Sequence, residues 1–519
     1  MTKRPLALLA ISAALILVVV ACGPSSTANT NLPIHGGNLT IGIDSYPSDL
    51  NPYSPTIDVV SLGVLDSWFE FLVEPSPDGS RYVPTLASSF TVSSDDTVYT
   101  FTLRAGVQFS NGTPMTANDV MYSLHQAFEQ SGSQINFLNS KVASITSPDP
   151  NTVVVTLKKS WPYLLSDLSG FNAPILPAAL AQSQGLDKFL KHPIGTGPFA
   201  LDTVIAGDSV RVVKNPHYWS PGRPYLDSLT FKVITTDVGR TTALKGGQAD
   251  IVSDPALNQL SALKSDPSVR VLTFAASQVD SILLNTKKAP LNDINFRRAM
   301  ALAIDRHAIV QAALFGTGKV ANTFIVPPPS ATYQDPNFNG FPYDPAQAKQ
   351  LLTQSGVTLP VTIQAEFPPG ALQDAVSTIM QQNLQAVGIN IDIVRSDPVT
   401  VHDHQSAGSF SISTDTWGDF VGDPSEQLLF YEDPAYCCND YFTNYNDPAA
   451  ATLANQAVAV TDPAKAKAMF LQVQQLESQS SHVIPLFYAD FVFLTTTKVT
   501  GFTADPFGTY SYSTVAFTK

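Results

Sequence analysis

The chain has 519 residues, with 29 Lys+Arg against 43 Asp+Glu for a net charge of −14; 14% of residues are charged, 44% are hydrophobic and 39 are Pro. At roughly 100–200 residues per domain this length allows two to four domains with sizeable cores, and the composition excludes disorder, coiled coil and collagen. A surplus of acid repels phosphate and no Lys/Arg-rich run with interleaved aromatics is present, which argues against nucleic-acid binding.

Lys3 and Arg4 precede an apolar or small stretch from Leu6 to Val20, followed by Ala21-Cys22-Gly23. Fifteen helical residues rise only about 22 Å, short of the roughly 30 Å hydrocarbon core, so the stretch reads as the h-region of an export signal over residues 1–21. Val19-Val20-Ala21-Cys22 looks like a bacterial lipobox, with Cys22 as the lipidated residue. Residues 22–37, mostly Ser, Thr, Asn, Pro and Gly, then form a flexible tether of roughly 20 Å reach, and stable anchoring outside the cytoplasmic membrane is expected. No later apolar run approaches the roughly 18 residues of a spanning helix.

Beyond the tether, Asn38–Ile43 alternates as a strand and Asp49-Leu50-Asn51-Pro52 turns the chain. Ser89–Val92 and Val98–Leu103 flank Ser93-Ser94-Asp95-Asp96 as a hairpin. Thr116 caps an amphipathic helix running to about Phe128, and strand Asn151–Lys158 follows. A Gly/Pro-dense turn at 192–199 opens a stretch with strands Val210–Val213 and Leu229–Ile234, helix Arg240–Lys245 and strand Asp250–Val252. Farther on, apolar spacing predicts helices Asn295–Phe315, Asp344–Gln354, Gln373–Val387 and Pro463–Gln479. Strands Val361–Glu366, Ile389–Val394 and Ser409–Thr414 interleave with them, the order of an α/β fold.

Chemistry-bearing motifs are sparse. Ser261-Ala262-Leu263-Lys264 lacks the companion motifs of a Ser-x-x-Lys hydrolase, and Gly316-Thr317-Gly318-Lys319 follows a helix where a dinucleotide loop follows a strand. His402-Asp403-His404, read as a turn, places two imidazoles near each other as a metal pair or, more simply, a solvated pair. Adjacent Cys437 and Cys438 form a strained vicinal disulfide that stiffens a loop, or stay reduced or buried; metal or redox chemistry is the remote third option. A binding loop has more support: Trp417-Gly418-Asp419-Phe420-Val421-Gly422-Asp423-Pro424 leaves a strand with an indole and two carboxylates on Gly/Pro backbone. Such carboxylates suit an ammonium and the Trp a stacking wall; the alternative is a solvated acidic loop with a core Trp. Tyr46 and Phe367 follow strands and sit where strand ends line crevices, with core packing as their alternative.

Several segments together resemble the bacterial extracellular solute-binding proteins, family 5, the oligopeptide and dipeptide binding proteins of ABC importers. Tyr82-Val83-Pro84-Thr85-Leu86-Ala87-Ser88-Ser89-Phe90 continues through 99–104 and 107–114 to Thr116-Ala117-Asn118-Asp119-Val120, nearly position by position. Gly195-Thr196-Gly197-Pro198-Phe199, Asn285-Thr286-Lys287-Lys288, Arg297-Arg298-Ala299 with Ala303-Ile304-Asp305-Arg306, and Tyr343-Asp344-Pro345 follow in the family's order. The resemblance implies a periplasmic-binding-protein-like α/β fold of class II, cluster C type, with two hinged lobes and an inserted extra domain. Domain I would comprise 38–57, 190–280 and 493–519, domain II 58–189 and domain III 281–492.

It further implies a small-molecule or short-peptide ligand held between domains I and III, and docking of the closed form on ABC permease subunits. Peptide binders of the family place an Asp three residues after the Trp; here that residue is Phe420, with Asp419 one place earlier and Asp423 following. The expectation is therefore a monomeric, lipid-anchored, extracytoplasmic capture protein without enzymatic activity, cofactor or bound metal. A short peptide is the first choice of cargo, with Tyr46, Phe367, Trp417, Asp419 and Asp423 as ligand contacts. An oligosaccharide or nickel chelate as cargo, a sensor role and a secreted hydrolase are its rivals.

Overall fold

The computed structural model describes residues 32–54, 57–76, 81–170, 173–326, 334, 337–418, 424–434 and 441–519. Cys22, Asp419, Asp423, Cys437 and Cys438 lie outside them.

Two large mixed sheets organise the body. The first has seven strands in the order Val269–Ala275, Asp490–Thr496, Ile251–Ser253, Asn38–Ile43, Ser228–Val233, Ser209–Lys214, Phe199–Ile205. Asn38–Ile43 lies in its middle, parallel to both neighbours, and Leu39, Ile41 and Ile43 are buried. The second has six strands in the order Lys319–Val320, Val483–Tyr488, Gln278–Leu284, Ile412–Gly418, Val361–Phe367, Ile389–Arg395. Helices Ile294–Ala303, Pro345–Ser355 and Ala371–Gln385 supply Phe296, Leu352 and Met380 to a core shared with that sheet.

A third, four-stranded antiparallel sheet, built from Ala87–Val92, Val98–Leu103, Thr152–Leu157 and Val142–Asp149, carries the expected hairpin. Phe101 pairs with Val153 and Tyr99 with Val155, so period-two alternation sends these side chains to one buried face. Helix Ala117–Glu129 starts at Thr116, whose amide donates to the Asp119 carboxylate at 2.8 Å, and buries Val120, Leu124 and Phe128. The first and last described strands meet: Pro33–Ile34 pairs with Ala516–Thr518, which pairs with Val499–Thr500.

The glycines of the 195–199 segment have a steric reason. A Cβ on Gly195 would stand 1.8 Å from the Trp68 carbonyl oxygen, and one on Gly197 would stand 2.6 Å from the Trp68 carbonyl carbon. The Gly197 amide donates to that oxygen at 3.0 Å and the Phe199 amide to Ser67 at 2.9 Å, so this strand entry docks directly on the turn after helix Val59–Leu65.

Three sequence expectations need correction. The span Asn295–Phe315 is two helices, Ile294–Ala303 and Arg306–Ala313, because Ile304 is extended and the Asp305 carboxylate accepts from the Ala308 amide at 2.9 Å, capping a fresh helix. His402 and His404 lie on helix Pro398–Ser406, not in a turn: Asp397 caps it and Pro398 opens it. The strand placed at Ser409–Thr414 runs instead over Ile412–Gly418, paired along Gln278–Leu284.

Among the described residues the chain passes between the two large sheets twice, from Ala275 to Gln278 and from Tyr488 to Asp490. The crossings run side by side, since Ala275 pairs with Asp490 and Asp280 with Phe487. The strands Gln278–Leu284 and Asp490–Thr496 thus run across the positions 280/281 and 492/493 at which domain borders are expected. No helix among the described residues is long and apolar enough to cross a membrane.

Candidate functional site

Between the two large sheets, beside the crossings, lies a cleft of about 1000 Å³. The seven-stranded side contributes Asp44 just past Asn38–Ile43, Asp254 just past Ile251–Ser253, and Arg240 on helix Asp237–Lys245. The six-stranded side contributes Asp280, Thr416 and the first turn of helix Ala371–Gln385, which Gly370 begins without a side-chain cap. Tyr510 and Tyr512 add an aromatic wall; Phe493 meets Tyr510 edge-on at 5.5 Å and 84°.

The wall is acidic. Asp280 is 5% exposed on a strand that is otherwise apolar from Ile282 to Leu284. The Thr416 hydroxyl donates to its Oδ1 at 2.8 Å. Burial pushes its carboxyl up to about 7, the Thr416 bond opposing and Asp415 on the neighbouring strand adding to the rise. Asp254 is exposed at the cleft surface, with protein enclosing it at longer range. Burial raises it to about 6, Asp44 adds to this and Arg240 opposes it. Its backbone is left-handed at φ 44°, a conformation that Asp tolerates better than most residues.

Asp490 is also raised by burial against the pull of Lys319. Arg240 is buried and fully engaged: its guanidinium donates to the carbonyls of Ser253 at 2.8 Å, Ile234 at 2.9 Å, Thr235 at 3.2 Å and Asp254 at 2.5 Å. It braces the cleft floor and has little left for a ligand anion.

The sequence-predicted residues fall elsewhere. Phe367 is 0% exposed in the core of the six-stranded half, so its place at a strand end does not put it in the cleft. Tyr46 is half-buried against the larger core and is not part of the cleft wall. Trp417 is 8% exposed, its ring 4.9 Å from Phe430, 5.2 Å from Tyr441 and 5.8 Å from Tyr431. Its neighbour Thr416 does face the cleft, because successive strand residues point to opposite faces.

His402 and His404 do not converge. His404 Nδ1 lies 3.0 Å from Glu366 Oε1, while the His402 ring stands edge-on to Phe442 at 5.5 Å. No group of three His, Cys, Asp or Glu able to hold a metal occurs among the described residues. Sequence reading missed Asp44, Asp254 and Asp280; an Asp heading an apolar strand run, and one before Pro255 just past a strand, were the available signals.

No histidine or cysteine lines the cleft among the described residues, and the arrangement offers hydrogen-bond acceptors, aromatic faces and negative charge to a guest. The chain matches the family described as bacterial extracellular solute-binding proteins, family 5 Middle, over residues 81–436. It is 28% identical over 508 residues to the glutathione-binding protein GsiB of Escherichia coli strain K12, covering 95% of this chain and 97% of that one.

Among solved structures it resembles the periplasmic binding protein DppA from Helicobacter pylori in complex with peptide STSA, at a TM-score of 0.82 and 23% identity over 94% of this chain and 99% of that one. A dipeptide binding protein from Pseudoalteromonas sp. SM9913, in complex with Met-Leu, gives a TM-score of 0.83 at 22% identity over 93% and 100%. The fold is thus the α/β, multi-domain fold of periplasmic binding proteins, and the chain belongs to the bacterial extracellular solute-binding proteins of family 5.

Proposed function

We propose that this protein is the ligand-capturing subunit of an ABC importer, held outside the cytoplasmic membrane by lipid on Cys22, and that it takes a short peptide into the cleft between two closing lobes. The observation that carries the reading is the cleft itself: about 1000 Å³ between two large sheets joined by two adjacent crossings. A guest that touches both walls is better bound when they approach, so it shifts the population toward the closed form. In this reading domain I (38–57, 190–280 and 493–519) carries most of the seven-stranded sheet and domain III (281–492) most of the six-stranded one, with 58–189 as the inserted domain II.

Support for a peptide comes from GsiB, named for glutathione, and from DppA, solved with a peptide. Asp419 and Asp423 directly follow the strand that carries Thr416 to the cleft and remain the proposed ligand contacts of the Trp417 loop; Tyr46 and Phe367 serve as packing. The test is mass spectrometry of what co-purifies with the protein, followed by calorimetry and solution scattering with that compound and with short peptides. Uptake with a smaller radius of gyration is expected; neither uptake nor compaction with any of them overturns the reading.

A further inference from the structure

The charges around the cleft are one-sided. Asp44, Asp237, Asp254, Asp280 and Asp490 line it, against Arg240 alone among its described residues, and the Arg240 guanidinium is spent on four backbone carbonyls. In sequence, the segments 55–56, 77–80, 171–172, 327–333, 335–336, 419–423 and 435–440 contain five Asp and no Lys, Arg or His.

Asp280 is the focal group. It is 5% exposed and faces the cleft; its side chain accepts from Thr416, and the groups acting on it are Thr416 and Asp415, neither a cation. An ionised carboxylate enclosed this way without a counter-charge is costly, so Asp280 either takes up a proton or is matched by a positive partner. Phe491, Tyr510 and Tyr512 also line the cleft, and aromatic rings attract ammonium and guanidinium groups.

Building on the capture reading above, we infer that the cargo is a small organic cation, with a protonated amine or guanidinium seated between Asp280 and Asp254 and its remainder against the aromatic wall. This anchor is distinct from the Trp417 loop. The cation draws Asp280 into its ionised state, so binding near neutral pH releases a proton, and affinity falls as pH drops from 8 to 6. The charged groups bearing on this titration are Asp415 with His402 beside it, Asp44, Asp237, Asp254 and Arg240 on the facing wall, and Asp490 with Lys319 at the crossings.

The test is calorimetry on the purified protein at pH 8. The cationic probes are putrescine, spermidine, agmatine and Lys-Lys amide; the comparison probes are their acetylated forms, glutathione, a neutral tripeptide and maltotriose. The expected result is uptake of at least one cation, with acetylation weakening it about tenfold or more and Asp280→Asn doing the same, as loss of a charge-assisted bond implies. Proton release on binding at pH 7, read from the heat in two buffers of different ionisation enthalpy, is expected as well.

If Asp280→Asn does not fold, Asp254→Asn and the acetylation series decide the matter by the same criterion. Uptake of glutathione, tripeptide or maltotriose with none of any cation rejects the inference and leaves capture standing. Cation binding indifferent to acetylation and to both substitutions also rejects it. Silence from every probe, with no compaction in scattering, rejects both.

Discussion

Glu70 is 5% exposed, and its carboxylate accepts from the Tyr218 hydroxyl at 3.0 Å and from Trp219 Nε1 at 2.9 Å. Burial, then the nearby Glu74, push it up to about 8 from an ordinary 4.5, against the pull of those donors. The folded protein therefore holds a proton that the unfolded chain releases, and stability declines as pH rises from about 4.5 to about 8. His482 works in the opposite sense: burial lowers it to about 3 from 6.5, so its effect is confined to pH below 6.5.

Melting temperature should accordingly fall between pH 6.5 and 8.5, and Glu70→Gln, which keeps an acceptor without a charge, should flatten that fall. Equal slopes in the two proteins would place the titration elsewhere. Trp417 yields a second prediction. Its ring is packed among Phe430, Tyr431 and Tyr441, so Trp417→Ala should cost about 3–5 kcal/mol of stability by denaturant unfolding. Asp419→Asn should leave melting unchanged while weakening any ligand the Trp417 loop holds, measured by titration. At this scale the sequence could name residue types but not directions: whether Trp417 or Thr416 faces the cleft depends on which side of the strand the core occupies.

Segments with a local signature were legible. Thr116 with Asp119 marks a helix start, and alternation in Val98–Leu103 and Thr152–Leu157 marks strands packed on one face. The pair Val483–Tyr488 and Asp490–Thr496 was not, because its nearly unbroken apolar run around Pro485 has no period and fits a buried strand as well as a buried helix. The break after Ala303 was missed for a related reason: apolar spacing continues through it, and only the Asp305 cap interrupts it. Glycines at 195 and 197 were visible as a motif, yet their need became clear only when Trp68 was found against them. Gly195→Ala forces a Cβ into a carbonyl oxygen 1.8 Å away and should yield no natively folded protein, read as lost near-ultraviolet dichroism and rapid proteolysis. A native-like melt from that variant would mean the strand entry can move off the turn.

The cleft gathers Asp44, Asp254, Asp280 and Asp490 from distant stretches of chain, so no window of sequence contained it; the sheet order brings them together. Lobe closure about the crossings at 275–278 and 488–490 should appear as a smaller radius of gyration on ligand addition, with the melting of the four-stranded sheet region unaffected. The strand pairing of Pro33–Ile34 with Ala516–Thr518 has a practical corollary. The first described strand and the C-terminal strand lie on the same jaw, through Val499–Thr500 just past the Asp490–Thr496 strand. Gripping the molecule at Pro33–Ile34 or by its tail therefore clamps one half and frees the other to swing. A dye on helix Ala371–Gln385, read against a second at Lys519, would follow that swing without burdening it.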